Sequence, residues 1–134
     1  MSFKELCTNL EEKIKNSYEQ GVTGTEAEKL AGEFLVAQLI VSEELKNADL
    51  NSRMRKSGLK AVRAAFYLDI VQKSDKRPTE AQTAAMVDVN PVVQEEQNSF
   101  DKAEVDRDNL ERYYNVFAAA HIHFRTVAKG SFNS

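Results

Sequence analysis

The chain has 134 residues and a formal charge of −3, with two prolines, five glycines and no tryptophan. This length is enough for one domain with its own core, and the scarcity of helix breakers favours an all-α fold over a sheet. The single cysteine excludes an internal disulfide. The longest apolar run, LVAQLIV, has Gln38 inside it and is far shorter than the roughly 20 residues that a membrane span needs.

The amino terminus, MSFKELCTNLEEKIKN, is amphipathic and rich in glutamate. It has neither the continuous apolar region nor the small-residue cleavage site of a signal peptide. Nothing in the sequence indicates an oxidising compartment. We therefore expect a soluble protein of the cytoplasm that does not enter membranes.

The first predicted helix lies within residues 1–20. Ser2 followed by Glu5 forms a capping box, and apolar side chains then recur at three- and four-residue intervals. Gly21 and Gly24 end the pattern, because glycine tolerates backbone angles that other residues resist.

A second, basic helical segment is predicted for residues 25–74. It begins at a capping box formed by Thr25 and Glu28. Its apolar spacing weakens around Asn47–Asn51, where Asn and Asp favour turns without enforcing them. Two alternatives stay open, one long helix or a hairpin with its turn at this point.

The sequence KSDKRPTEAQ is the clearest connection in the chain. Pro78 prevents a helix from continuing, and Thr79 with Gln82 forms a third capping box. Within the predicted helical segment 79–129, a short helix over about 80–88 comes first.

The last predicted helix is long. Asn90 provides an N-cap, Pro91 occupies the first helical position, and no residue interrupts the pattern before Gly130, which is predicted to stop the helix and leave SFNS as a tail. A heptad pattern runs along about 38 residues, or roughly 55 Å. We expect a single all-α domain, an elongated helical hairpin or bundle, in which this helix also contributes to a homo-oligomer. The residues predicted at an oligomer or partner interface are Phe100, Leu110, Tyr114, Phe117, His121 and Phe124.

Charge is segregated along the chain. Residues 46–78 hold nine basic and three acidic side chains, whereas residues 79–111 hold two basic and nine acidic ones. The flanking segments carry formal charges of −5 (1–45) and +3 (112–134). Such segregation indicates polar partners or charge-matched assembly more than catalysis.

Four cations of the basic segment share one side of the predicted helix. Arg53, Lys56, Lys60 and Arg63 occupy a sector about 80° wide. This array suits a sugar-phosphate backbone, because cations one helical turn apart can each replace condensed counterions. The alternative is a solvated helix face that the acidic segment neutralises.

Neighbouring residues extend this predicted site. Lys46 and Tyr67 fall close to the same sector, Tyr67 as a base-stacking residue or as rim packing, and Lys73 extends the positive region. The opposite side of the helix is predicted to pack inward, and its members are Met54, Gly58, Ala61, Val62, Ala65 and Phe66.

No pattern of catalytic, cofactor or metal-binding residues is found. His121 and His123 stand two positions apart on a helix and point about 200° away from each other, so they cannot share one metal ion. Cys7 has few cationic neighbours in the sequence and is typical of a small core residue. We expect a non-enzymatic protein without a cofactor or a metal.

The order of these segments resembles a known family. A short amino-terminal helix, a basic helical stretch, the connection KRPTEA, a short helix and a long closing helix reading NPVVQEEQNSFDKAEVDRDNLERYYNVFAAAHIHFRTVAKG are similar to the UvsY-type recombination mediators of tailed phages. The resemblance covers roughly residues 25–130. It implies small helical subunits that oligomerise in a bacterial host, bind single-stranded DNA and help a recombinase displace a single-strand-binding protein.

The resemblance also implies roles for individual residues. It assigns DNA binding to Arg53, Arg55, Lys56, Lys60 and Arg63, together with Lys46 and Lys73. The acidic segment 79–111 departs from the family, and it is interpreted instead as a docking face for a recombinase or another subunit. A rival hypothesis is a protein-interaction or virion-assembly factor that uses the acidic helix and the heptad seam. A small helical toxin or inhibitor is a third possibility.

Overall fold

In the computed structural model, which describes residues 1–133, the chain is all-α. Its four helices are α1 (Phe3–Gln20), α2 (Gly24–Lys73), α3 (Glu80–Asp88) and α4 (Pro91–Asn133). No strand occurs within the described range. The predicted all-α class and the long C-terminal helix are confirmed.

Local signals in the sequence determine both ends of α1. The Ser2 hydroxyl accepts a hydrogen bond of 3.1 Å from the Glu5 amide, as an N-cap does. Gly21 follows the helix with φ of 72°, and its amide donates to the Ser17 carbonyl at 2.9 Å. This left-handed conformation is one that glycine adopts without steric cost.

Helix α2 is one unbroken helix of 50 residues, so the hairpin alternative at Asn47–Asn51 is wrong. The turn preference of Asn and Asp is weak, and an Asp49–Arg53 ion pair of 3.0 Å supports the helix across this stretch. The predicted cap is also displaced. The hydroxyl of Thr23, and not that of Thr25, accepts the capping hydrogen bond, which the Glu26 amide donates.

The signals between α2 and α4 act as predicted. Thr79 and Gln82 exchange two hydrogen bonds of 3.0 and 3.1 Å, which together form a capping box. The Asn90 carboxamide oxygen accepts the Val92 amide at 2.9 Å, and α4 begins at Pro91.

The C-terminal stop is wrong. Helix α4 continues through Gly130 to Asn133, because glycine permits a helix end without forcing one. Most of the predicted SFNS tail is therefore helical, and its last residue, Ser134, lies outside the described range.

The residues of the chain pack as two compact units. Unit 1 comprises Met1–Leu45 and Asn109–Ser134, and unit 2 comprises Lys46–Asp108. Each unit has its own hydrophobic core, and α2 and α4 contribute residues to both cores.

Aromatic side chains form the centre of unit 1. Phe34 lies between Phe117 and Phe124, with ring centroids 5.7 and 5.6 Å away, and all three are fully buried. Cys7 and Leu10 of α1 belong to the same core.

The core of unit 2 is smaller. Leu59 of α2, Val87 of α3 and Val93 of α4 are buried together. Phe66 and Phe100 are partly buried against them. Packing against α3 and α4 thus determines which side of the basic segment of α2 is buried.

None of the helices within residues 1–133 combines the length and the apolarity that crossing a bilayer requires.

Candidate nucleic-acid interface

Every residue predicted to bind nucleic acid lies on the part of α2 that belongs to unit 2. The inward side of this helix is defined by three residues at seven-residue intervals. Ser52 and Leu59 are buried, and Phe66 is half-buried. The outward side is thereby set by packing against α3 and α4.

The inward side differs from the predicted one by a rotation of about 100° about the helix axis. Met54 is 65% exposed, and Ala61 and Ala65 are exposed too, although the sequence predicts that all three pack. Apolarity alone did not identify the packed face, because α3 and α4 present Val87 and Val93 to Leu59 instead. Val62, Phe66 and Gly58 do lie on or beside the packed side.

The four cations predicted to share a sector, here called the basic row, flank the packed side. Arg53, Lys56 and Lys60 are exposed, and Arg63 is half-buried. From Arg53 to Arg63 the row spans eleven residues, or about 15 Å of helix. This sector therefore faces solvent over most of its length.

Two members of the basic row have carboxylate partners. Arg53 pairs with Asp49 on the same helix at 3.0 Å, and its side chain stays 77% exposed. Arg63 pairs with Asp88 at the end of α3. Exposed pairs of this kind contribute about 0.2–1 kcal/mol, so a polyanion can compete with them.

The other cations of the predicted site are mostly unpaired. Within the described part of the chain, Lys46, Arg55, Lys56 and Lys60 make no ion pair. Lys73 pairs with Asp69, one helical turn earlier, at 2.9 Å. Arg55 is exposed but lies outside the sector of the basic row.

Within the described residues, no carboxylate of α4 forms an ion pair with the basic row. The half-buried Arg107 of α4 binds Glu104 and Asp108 at 3.0 Å each, and Asp49 lies 3.9 Å away. The hydrogen bond from Arg107 to Asp108, followed by the charge of Glu104, raises the pKa of Arg107 further above its usual value. Acidic groups of α4 are thus partly engaged by a cation of their own helix.

A strip of apolar and small side chains runs beside the basic row on the outward side of α2. Its members recur at alternating intervals of four and three residues. Leu50, Met54 and Leu68 are 60%, 65% and 57% exposed. This apolar strip consists of Leu50, Met54, Ser57, Ala61, Ala64 and Leu68. This strip was not predicted to be an exposed surface, although the heptad spacing of its residues is visible in the sequence.

Tyr67 lies at the edge of this surface. Tyr67 is 36% exposed, and it lines a groove together with Arg63, Leu68 and Ala84. The groove is mainly apolar and opens next to the basic row, so a planar base has room beside a cation there.

Of the six residues predicted at an interface on α4, two are fully buried within the chain and four are half-buried. Phe117 and Phe124 are fully buried against Phe34, and neither has surface left for a partner. Leu110, Tyr114 and His121 are half-buried in unit 1, and Phe100 packs in the core of unit 2. Heptad spacing predicted burial correctly but could not specify which helix would cover the seam.

The two histidines are separated as predicted. The Nδ1–H of His121 donates to the Ala31 carbonyl at 2.8 Å, whereas His123 is exposed and stacks on Tyr18. In residues 1–133 no group of three or more His, Cys, Asp and Glu side chains is arranged to hold a metal.

Cys7, the other residue with reactive chemistry, is enclosed in the core of unit 1. Burial, and next the neighbouring Glu11, raise the pKa of its thiol. A raised pKa disfavours the nucleophilic thiolate. Cys7 therefore acts as a core residue.

No family model matches the chain, and comparisons with curated proteins and with solved structures found no significant match.

Proposed function

We propose that this protein is a non-enzymatic accessory factor that binds single-stranded nucleic acid through the outward side of α2 in unit 2. The observation that carries the proposal is the pair Lys56 and Lys60, exposed and free of carboxylate partners among the described residues. Such cations can neutralise phosphates and release counterions without first breaking an ion pair.

The apolar strip favours a single strand over a duplex. A single strand offers the faces of its bases, which pack on aromatic and apolar side chains, whereas a duplex keeps those faces stacked. With phosphates along the basic row, bases would lie over Met54 and Leu68 or beside Tyr67. One outward surface thus matches both parts of a single strand.

A salt series tests this proposal. Fluorescence anisotropy of a labelled oligonucleotide gives the dissociation constant of the wild-type protein and of the double variant Lys56→Gln/Lys60→Gln. Each lost phosphate contact lowers the slope of log K against log salt by about 0.7 for single strands, so we expect a decrease of about 1.4.

The control variant is Lys102→Gln, which removes an exposed cation on α4 of the same unit. Its salt slope is expected to equal that of the wild type. Absence of wild-type binding at about 50 mM salt, or an equal loss in the control, would refute the proposal.

We further propose, from the resemblance of the chain to UvsY-type mediators, that the bound strand is DNA and that the protein assists a recombinase. The expected activity is displacement of a single-strand-binding protein from DNA, followed by faster recombinase loading. A loading assay with the Lys56→Gln/Lys60→Gln variant tests it, since loading should decline together with DNA binding.

One observation favours a second function, that of a protein-interaction or virion-assembly factor. Glu95 and Asp101 on α4 are exposed and make no ion pair in the described structure. Under this function, charge reversal at Glu95, Glu96 and Asp101 would abolish association with a partner, while the Lys56→Gln/Lys60→Gln variant would associate normally.

A further inference from the structure

Unit 1 has an exposed apolar face of its own, separate from the proposed nucleic-acid surface. It lies on the first part of α2, on the side turned away from the core. Leu35, Val36, Leu39 and Ile40 are 45%, 56%, 64% and 39% exposed. We call these four residues the unit 1 face.

The unit 1 face continues into a groove beside α1. The groove is almost entirely apolar, and its lining includes Leu6, Leu10, Gly32 and Ala37. A Cβ atom added at Gly32 would meet no other atom within 4 Å, so the groove is open at this point. A contiguous apolar surface of this kind marks an interaction site, whereas scattered exposed apolar residues do not.

The charges around the unit 1 face are mainly acidic, and Lys29, exposed beside Glu28, is the exception on this side of α2. Glu28 and Glu43 are exposed at its two ends, and Glu44 is exposed one turn after Ile40. The nearby Lys13 is already paired with Glu33 at 2.7 Å. A partner for this face therefore needs an apolar strip bordered by cations.

The apolar strip of unit 2 meets this description. It has heptad spacing, which suits packing against another helix. Along one edge stand Lys46, Arg53 and Lys60, each exposed. Packing of two unit 1 faces against each other would instead bring carboxylates together, and packing of two apolar strips would bring cations together. Like charges in contact are unfavourable.

We propose that the unit 1 face of one molecule packs against the apolar strip of unit 2 of a second molecule. The occupant of each surface is thus a second copy of this chain, and the contact is between two different surfaces. The proposal does not depend on nucleic-acid binding, and assembly is measured without nucleic acid.

Two variants separate the surfaces. Val36→Lys/Leu39→Lys disables the unit 1 face, and Met54→Glu/Leu68→Glu disables the apolar strip. All four positions are exposed on a helix, so the fold should tolerate these changes, and circular dichroism checks the helix content. Ile122→Lys, at a position 63% exposed on α4 of unit 1, is the matched control.

Sedimentation velocity measures whether each protein is monomeric or associated. The wild type and the control should associate with rising concentration, and each face variant alone should remain monomeric. An equimolar mixture of the two face variants should form a one-to-one dimer, because each contributes the surface that the other lacks.

Three outcomes would overturn the proposal. The wild type could remain monomeric up to about 1 mM, the weak end of specific association. Either face variant could associate alone as well as the wild type, which would mean that a surface pairs with itself or is not used. The mixture could also fail to associate although both variants are folded.

Discussion

The ion pair between Arg63 and Asp88 restrains one member of the basic row, and removing its carboxylate should strengthen nucleic-acid binding. Asp88→Asn leaves the side chain nearly unchanged in size but frees the Arg63 guanidinium. The two side chains are 38% and 59% exposed, so the pair contributes only about 0.2–1 kcal/mol to folding after solvent screening. The variant should therefore fold normally.

The magnitude follows from counterion release. One additional phosphate contact should steepen the salt slope for a single strand by about 0.7. Between 50 and 200 mM salt, this corresponds to about a threefold larger loss of affinity than in the wild type. Anisotropy titrations of a labelled oligonucleotide at several salt concentrations measure both slopes.

A matched variant separates a local effect from a change of net charge. Asp106→Asn removes one exposed carboxylate from α4 of the same unit, and Asp106 makes no ion pair within residues 1–133. Its slope should stay at the wild-type value. Equal slopes for Asp88→Asn and the wild type would refute the reasoning that Arg63 is held back by its partner.

Four further predictions concern the fold. Phe117→Ala should lower the free energy of unfolding by about 3–5 kcal/mol in urea titrations, because it opens a cavity between buried rings, and a cost below about 1 kcal/mol would contradict the described core. Thr79→Ala should cost about 1 kcal/mol in the same assay through loss of the capping box, and an unchanged midpoint would show that the cap contributes nothing. Gly130→Ala should raise stability by about 0.5–1 kcal/mol, since Gly130 lies inside a helix with open space around it, whereas Gly21→Ala should lower stability because of its positive φ. A lower melting temperature of Gly130→Ala in thermal unfolding would instead support the predicted end of the helix at Gly130.

The two parts of α2 present exposed surfaces with different charges. In unit 1 the helix presents apolar side chains with acidic neighbours, and in unit 2 it presents apolar side chains with basic neighbours. Arg53 and Lys60 belong both to the basic row and to the border of the apolar strip. Both proposals also use Met54 and Leu68 of the apolar strip, so assembly and nucleic-acid binding are expected to compete for this surface as well as for the two cations.

The helix ends show how far local sequence can be used for prediction. The caps at Ser2, Thr79 and Asn90 depend on hydrogen bonds between residues two or three positions apart, so the sequence alone was sufficient. Asn47–Asn51 and Gly130 carry preferences of about 1 kcal/mol or less, and the rest of a long helix outweighs them.

What the sequence by itself determined was the all-α class, the connection at Pro78, and the placement of four cations on one sector of α2. Each of these follows from the helical period or from contacts within one or two turns. Only the tertiary structure decided which side of α2 is buried and that Phe117 and Phe124 lie in the core of unit 1. Those outcomes depend on which distant helix covers each apolar surface, and no local spacing contains that information.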